Sequence, residues 1–318
     1  MTYVLLLIGF GLLIKGADYF VLGSSKIASL LNISPLIVGL TIVAFGTGSP
    51  EATVSIIAAI EGNSEVTIGN IVGSNIINTA LVIGLTAFIS PLVVQSQTLR
   101  KEIPFTLLAS VALLVLINDM QFQLTDVNVI TRSDGIILLM FFSIFMYYIF
   151  EIARNSRDKS LEVKVETSRK EWGKNILVTV GGLAAIILGG YFVVESSTSI
   201  ALNFGMSETL VGLTIVAIGS SLPELITSVT AALKKQSEIA LGNIVGSNIF
   251  NILFVLGVSS LITPLPVNNI IFVDVIFMIV LTVALLIFSK TQCNVGKYEG
   301  LTLVVAYILY FVYIIIRN

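Results

Sequence analysis

The sequence predicts an all-α membrane protein of ten transmembrane helices, built as two inverted-topology five-helix repeats with helices 2 and 7 broken. Three observations carry that prediction. The first is composition. Of the 318 residues, 56% are hydrophobic and 11% charged, at a mean hydropathy of +1.01, whereas about 25% of a soluble domain's residues are charged. The second is patterning: apolar runs of roughly 20 residues, the length that spans a bilayer as helix, recur along nearly the whole chain. The third is an internal repeat in which polar residues recur in register 173 positions apart.

Taken in order, the expected spans are 3–29, 35–60, 66–90, 102–117, 134–152, 174–202, 208–232, 239–262, 269–289 and 299–316. Several exceed 20 residues, which permits tilt. The run "YVLLLIGFGLLI" has no basic stretch before it and no small-residue cleavage site after it, so it reads as a retained span rather than a signal peptide. Residues 153–173 form a charged linker between a first repeat, 1–152, and a second, 174–318. Basic residues set the orientation. With the N-terminus outside, all of the 17 lysines and arginines except Lys15, Arg132 and Arg317 fall in inner loops. The linker is then cytoplasmic, both termini face out, and the membrane is the plasma membrane.

Composition also excludes. The chain has no histidine, so imidazole metal sites and His-based triads are absent. Cys293 is the lone cysteine and can form no intramolecular disulfide. A net charge of −2 gives no footprint for nucleic acid.

The repeat rests on two blocks. "GLTIVAFGTGSPEATVS" (39–55) aligns with "GLTIVAIGSSLPELITS" (212–228), and "IGNIVGSNIIN" (68–78) with "LGNIVGSNIFN" (241–251), at one shared offset without a gap. Each half holds five spans. An odd number makes the halves enter the membrane in opposite directions, an architecture typical of secondary transporters whose site lies near the midplane at the repeat interface.

The first block explains why so apolar a chain interrupts itself. Gly46 and Gly48 tolerate dihedrals that stop a helix, and Ser49 suits an N-cap. Pro50 suits the first position of a new helix, where its missing N–H is not needed. The second span is therefore expected as two half-helices, leaving carbonyls from Ala44 to Thr47 without partners. Backbone of that kind is tolerated at membrane depth only where it lines a cavity or is buried in protein. Glu51 falls in the first turn of the second half, where the helix dipole favours a carboxylate. Ala217 to Ser220, Pro223 and Glu224 repeat the pattern. A single glutamate also reads as a protonated, hydrogen-bonded helix contact; two at equivalent breaks point to a shared site, because each intramembrane carboxylate costs roughly 2.5 kcal/mol or more.

The following spans add oxygen. Asn70, Ser74 and Asn78 are spaced to lie near one helix face, as are Asn243, Ser247 and Asn251. For Asn70 and Asn243, interhelical hydrogen bonding competes evenly with a ligand role. Gly69, Gly73, Gly242 and Gly246 read as close-packing positions. Carboxylates, hydroxyls, amides and carbonyls with no soft ligand suit Na⁺, Ca²⁺ or Mg²⁺. Calcium takes 6–8 oxygens, and two glutamates would balance one divalent ion or hold monovalent ions in turn.

"GTGSPEATVS" with "GNIVGSNIIN", and "GSSLPELITS" with "GNIVGSNIFN", resemble the paired alpha-repeats of the calcium/cation antiporter superfamily, most closely its prokaryotic sodium/calcium exchangers. The resemblance implies antiport of Ca²⁺ against Na⁺ by alternating access, with the first and sixth spans sliding against a fixed core. It implies Ca²⁺ held by Glu51 and Glu224 with the carbonyls of Thr47 and Ser220. It implies flanking Na⁺ sites drawn from Ser74, Ser221, Ala44, Ala217 and Ser247, with Asn78 and Asn251 lining the centre. No cofactor is expected beyond the transported ions, and the partners are those ions and the lipid bilayer, around a monomer. Three departures stand out. Gly48 occupies a position where the family commonly has a hydroxyl, so the Na⁺ site nearest Glu51 and Ser247 is expected to lack one oxygen. Asn251 replaces the Asp of potassium-dependent members, and the linker is too short for the regulatory domain of animal exchangers. The alternative to Na⁺/Ca²⁺ exchange is an H⁺-coupled Ca²⁺ or other divalent exchanger. A channel and an intramembrane enzyme are the remaining classes; no nucleophile or catalytic metal signature supports the latter.

Overall fold

The computed structural model describes residues 2–122, 126–159, 169–204, 217–290 and 293–317. Among the described residues the regular structure is helical apart from two short ribbons. Helix α1 (Thr2–Leu31) is followed by a bent pair, α2 (Pro35–Thr47) and α3 (Ser49–Ile60), then α4 (Ser64–Ile89). A wide π turn at Thr98–Glu102 leads into α5 (Ile103–Leu116), and α6 (Arg132–Lys159) ends the first half. The second half holds α7 (Arg169–Asn203), the short α8 (Ala217–Ser220), α9 (Leu222–Leu233), α10 (Ser237–Ile262), α11 (Ile271–Lys290) and α12 (Lys297–Arg317). Among the described residues, seven helices are long and apolar enough to cross a membrane, or eight counting the bent pair as one span. The expected seventh span, 208–232, lies partly outside the described residues.

The sequence offset of 173 reappears in the backbone. Ser49–Ile60 matches Leu222–Leu233, and both begin with proline at their second residue. Within α4 and α10 the helix widens into a π turn at equivalent places, Ile77–Val82 and Phe250–Val255. Strand β1 (Leu92–Val93) has its counterpart in β3 (Leu265–Pro266). β1 pairs antiparallel with β4 (Asn294–Val295), and β3 with β2 (Val129–Ile130), so every ribbon joins one half of the chain to the other.

The halves also interlock through their helices. α1 and α7 meet along a seam of small residues. A Cβ added at Gly16 would stand 2.9 Å from the Gly182 carbonyl oxygen, and one at Gly189 would stand 2.8 Å from that of Gly9. Backbones approach this closely only where side chains are absent, the packing mode of helices that gain nothing from hiding apolar surface from lipid. Helix α10 is the most enclosed, with every residue from Ile239 to Ile249 buried, and packs on α2. At Gly242 and Gly246 a Cβ would stand 2.8 Å from Leu36 O and 2.7 Å from Leu40 O, as expected of close-packing positions. At Gly69 and Gly73 no described atom comes within 4 Å, and the stretch the offset places opposite them, 205–216, lies outside the described residues. Large apolar side chains such as Leu7, Leu177, Leu309 and Ile316 face outward from α1, α7 and α12.

Candidate cation site at the two helix breaks

The first break is a single residue. Gly48 joins α2 to α3 with φ −77° and ψ 0°, and the two helices meet at 50°. Pro50 causes it: lacking an N–H, it leaves the Gly46 carbonyl without its partner four residues on, and its ring crowds that carbonyl. The second break is built alike, with Ser221 at φ −91° and ψ 6° between α8 and α9, and Pro223 next in line. Both junctions occupy the bridge region, which a residue with a side chain can adopt.

Two expectations at the first break are corrected. Ser49 does not cap α3; its hydroxyl donates back to Phe45 O at 2.7 Å, and the N-cap position belongs to Gly48, which has no side chain to offer. Ser49 is already helical, so its hydroxyl lies over the preceding turn and reaches the carbonyl four residues back. Nor are all carbonyls from Ala44 onward free. Ala44 O accepts from Gly48 N at 2.9 Å and from the Ser247 hydroxyl at 3.3 Å, and Phe45 O accepts from Ser49. A one-residue break frees fewer carbonyls than a gap between separate half-helices would.

Glu51 and Glu224, in the first turns of α3 and α9, are each 1% exposed. Their carboxyls face one another closely enough to interact directly. The Ser221 hydroxyl approaches Glu51, and Thr47 approaches Glu224, yet among the described residues none of the four carboxylate oxygens receives a well-formed hydrogen bond. Each junction thus serves the opposite repeat's carboxylate. A Cβ built on Gly48 would stand 3.7 Å from Glu224 Oε1. The hydroxyl missing at residue 48 is therefore missing beside Glu224. Among the described residues neither glutamate has a lysine or arginine partner; the ion pairs present are Lys234–Asp18 and Arg317–Asp274, elsewhere.

The other expected site residues fall around this pair in different ways. Thr47 is fully buried, its hydroxyl shared between Val43 O at 3.1 Å and Asn243 Oδ1 at 2.9 Å. Ser247 touches Ala44 O, joining α10 to the first break. Ser74, Asn78 and Asn251 are buried on the adjoining helices, Asn78 and Asn251 on the π turns. Ser220 ends α8, and Ala217 begins it; the Ala217 side chain is outside the described set. Asn70 and Asn243 are braces. Asn70 Nδ2 donates to Ser55 Oγ at 2.9 Å and Glu51 O at 3.2 Å; Asn243 Nδ2 donates to Ser228 Oγ at 2.9 Å and Glu224 O at 3.4 Å. Sequence reasoning did not single out Ser55 and Ser228, although their recurrence at the shared offset was a signal. It also missed Asn75 and Asn248, which lie two residues before the π turns of α4 and α10 and cross-link the two helices. Asn75 Nδ2 donates to Asn248 O at 3.3 Å, and Asn248 Nδ2 to Thr79 Oγ1 at 2.8 Å.

Two uncompensated carboxylates in a buried, oxygen-lined space need a cation or a proton between them, since like charges so placed cannot both stand ionised alone. Comparison with known proteins gives the arrangement its family. Residues 1–151 and 174–316 match the model of the sodium/calcium exchanger protein family. The chain belongs to the sodium/calcium exchanger family. It is 34% identical over 342 residues to the sodium/calcium exchanger MaX1 of Methanosarcina acetivorans, covering 98% of each chain. It is 39% identical over 316 residues to the putative antiporter CaxA of Alkalimonas amylolytica, covering 96% of each. Its fold follows a solved structure of the sodium-calcium exchanger NCX_Mj with a TM-score of 0.84, at 30% identity and 98% coverage of both chains. This member of the exchanger family is thus a multi-pass, helical membrane protein.

Proposed function

We propose that this protein is a secondary active antiporter that exchanges Ca²⁺ for Na⁺ across the plasma membrane by alternating access. The observation that carries the reading is the facing pair Glu51 and Glu224, buried, at equivalent helix breaks, with no lysine or arginine partner among the described residues. Their combined charge matches one divalent ion. Ions entering from either side would meet the same pair, and the ion bound on one side is released on the other. The Thr47 and Ser220 carbonyls complete the Ca²⁺ site, while Ser74, Ser221, Ser247, Ala44 and Ala217 contribute to flanking Na⁺ sites, with Asn78 and Asn251 at the centre. The work is transport, not catalysis, and needs no cofactor.

The architecture that suits this role is ten spans in two inverted five-helix repeats, 1–152 and 174–318, joined by the cytoplasmic linker 153–173. The 173-residue recurrence of helices, π turns and strands supports it, as does the odd number of spans per half. Both termini then face outward, and outward-facing apolar side chains meet lipid. One polypeptide holds both halves of the site, so a monomer suffices. A second reading, H⁺-coupled exchange of Ca²⁺ or another divalent cation, draws on the same pair, because a carboxylate without a counter-ion also takes a proton. Radioactive Ca²⁺ uptake into proteoliposomes separates the two. An outward Na⁺ gradient at uniform pH should drive uptake; uptake that responds only to a pH gradient would replace Na⁺ by H⁺ as the counter-ion.

A further inference from the structure

We infer that Asn75 is a positioning residue that fixes the Asn251 side-chain amide with its oxygen, not its nitrogen, available to a cation. The inference rests on the transport reading above and names a residue outside the proposed ligand set. The argument is one of hydrogen-bond polarity. An asparagine amide has a donor end and an acceptor end of nearly equal size, so only its partners decide which end points where. Asn75 Nδ2 donates to the backbone carbonyl of Asn248 at 3.3 Å. A carbonyl can only accept, so this contact admits only the amine end of Asn75. Its Oδ1 is thereby turned to Asn251, whose Nδ2 donates to it at 3.2 Å. Asn251 has then committed its amine end, and its Oδ1 remains a fully buried acceptor with no partner among the described residues.

The location makes that oxygen useful. Asn251 follows Ser247 by one turn, and Ser247 touches the Ala44 carbonyl at the first break. Phe250, its neighbour, stacks on Phe45 at 4.7 Å beside the same break. Were the amide reversed, an N–H donor would face the cation space and repel what the glutamates attract.

The other repeat lacks this device. Asn248 stands where the offset would repeat Asn75, but its amine end goes to Thr79 Oγ1 at 2.8 Å. Asn78, the counterpart of Asn251, has neither side-chain atom partnered among the described residues. One central amide is set; its mate is not.

The test is a double-mutant cycle on purified protein, reading half-saturating Na⁺ and Ca²⁺ concentrations by calorimetry. Asn75→Leu keeps the volume and removes both polar ends. In the wild-type background it should raise the half-saturating concentration of at least one ion about tenfold, a step of about 1.4 kcal/mol. Asn251→Asp presents oxygen at both ends and needs no orienting, and Asn251→Leu has no amide to orient. In either background Asn75→Leu should shift binding less than twofold. If one background binds too weakly to measure, the other decides. An equal loss in all backgrounds would mean that Asn75 merely supports packing, and no loss in wild type would mean that it orients nothing; either result overturns the inference. Normal Ca²⁺ exchange by Asn75→Leu with unchanged affinities sinks this inference and leaves the transport reading intact. Wild-type protein that binds neither ion sinks both.

Discussion

At the scale of single residues, the proposed site rests on two buried carboxyls with no lysine or arginine partner among the described residues. Glu51→Gln and Glu224→Gln each remove half of the charge that a divalent ion would balance. Each should reduce Ca²⁺ exchange to background while the protein still elutes as one folded species in detergent. Strong transport by either variant would remove the pair from the site. Gly48 poses a finer question. Its φ of −77° is ordinary for any residue, so no backbone requirement holds glycine there. A serine Cβ would press the Ala44 carbonyl at 3.0 Å and bring a hydroxyl toward Glu224, mirroring Ser221 beside Glu51. Gly48→Ser should therefore lower the Na⁺ concentration that gives half-maximal exchange, and Ser221→Gly should raise it. If the Na⁺ dependence of Ser221→Gly matched wild type, the hydroxyl would not be a ligand.

At the scale of elements, glycine placement decides how α10 seats against α2. Gly246 has the Leu40 carbonyl and the Ala44 Cβ within 2.8 Å of where a side chain would begin. Gly246→Val should push the helices apart, cost about 1–3 kcal/mol of stability as overpacking does, and displace Ser247 from Ala44. Gly11→Ala, with open space around it, should leave the thermal midpoint unchanged, and the comparison of the two midpoints is the check. The elements were legible to different degrees. The breaks at Gly48 and Ser221 were readable because proline and glycine act locally: a missing N–H interrupts a helix wherever it stands. Ser49 misled because a hydroxyl beside a helix start can cap forward or bond backward, and only the angle of the chain decides. The role of Asn70 and Asn243 was undecidable from spacing, which gives a helix face but not what stands across from it. The crossing of Ser221 to Glu51 and of Gly48 to Glu224 depends on how two distant segments meet, and local pattern carries no such information. The π turns within α4 and α10 left no local trace either; each contains an asparagine of the proposed site, in keeping with the tendency of such turns to occur at functional sites.

At the scale of the whole molecule, the distribution of lysine and arginine leads us to expect the α11–α12 connection in the cytoplasm. Cys293 lies in that connection, exposed and free. A membrane-impermeant thiol reagent should label it in inside-out vesicles and not in intact spheroplasts; labelling from outside alone would reverse the orientation while leaving the repeat untouched. The ribbons have a different consequence. β1 pairs with a strand from the other half, as does β3, and Thr47 and Ala44 reach partners on α10. Each half is thus an incomplete object with its complement on the same chain, closer to one subunit of an obligate heterodimer than to a domain. Residues 1–159 and 169–318 produced as two separate polypeptides in one cell should find each other, co-purify and take up Ca²⁺. Either one alone should be degraded or aggregate, carrying half of a site and unmatched strand edges into the membrane.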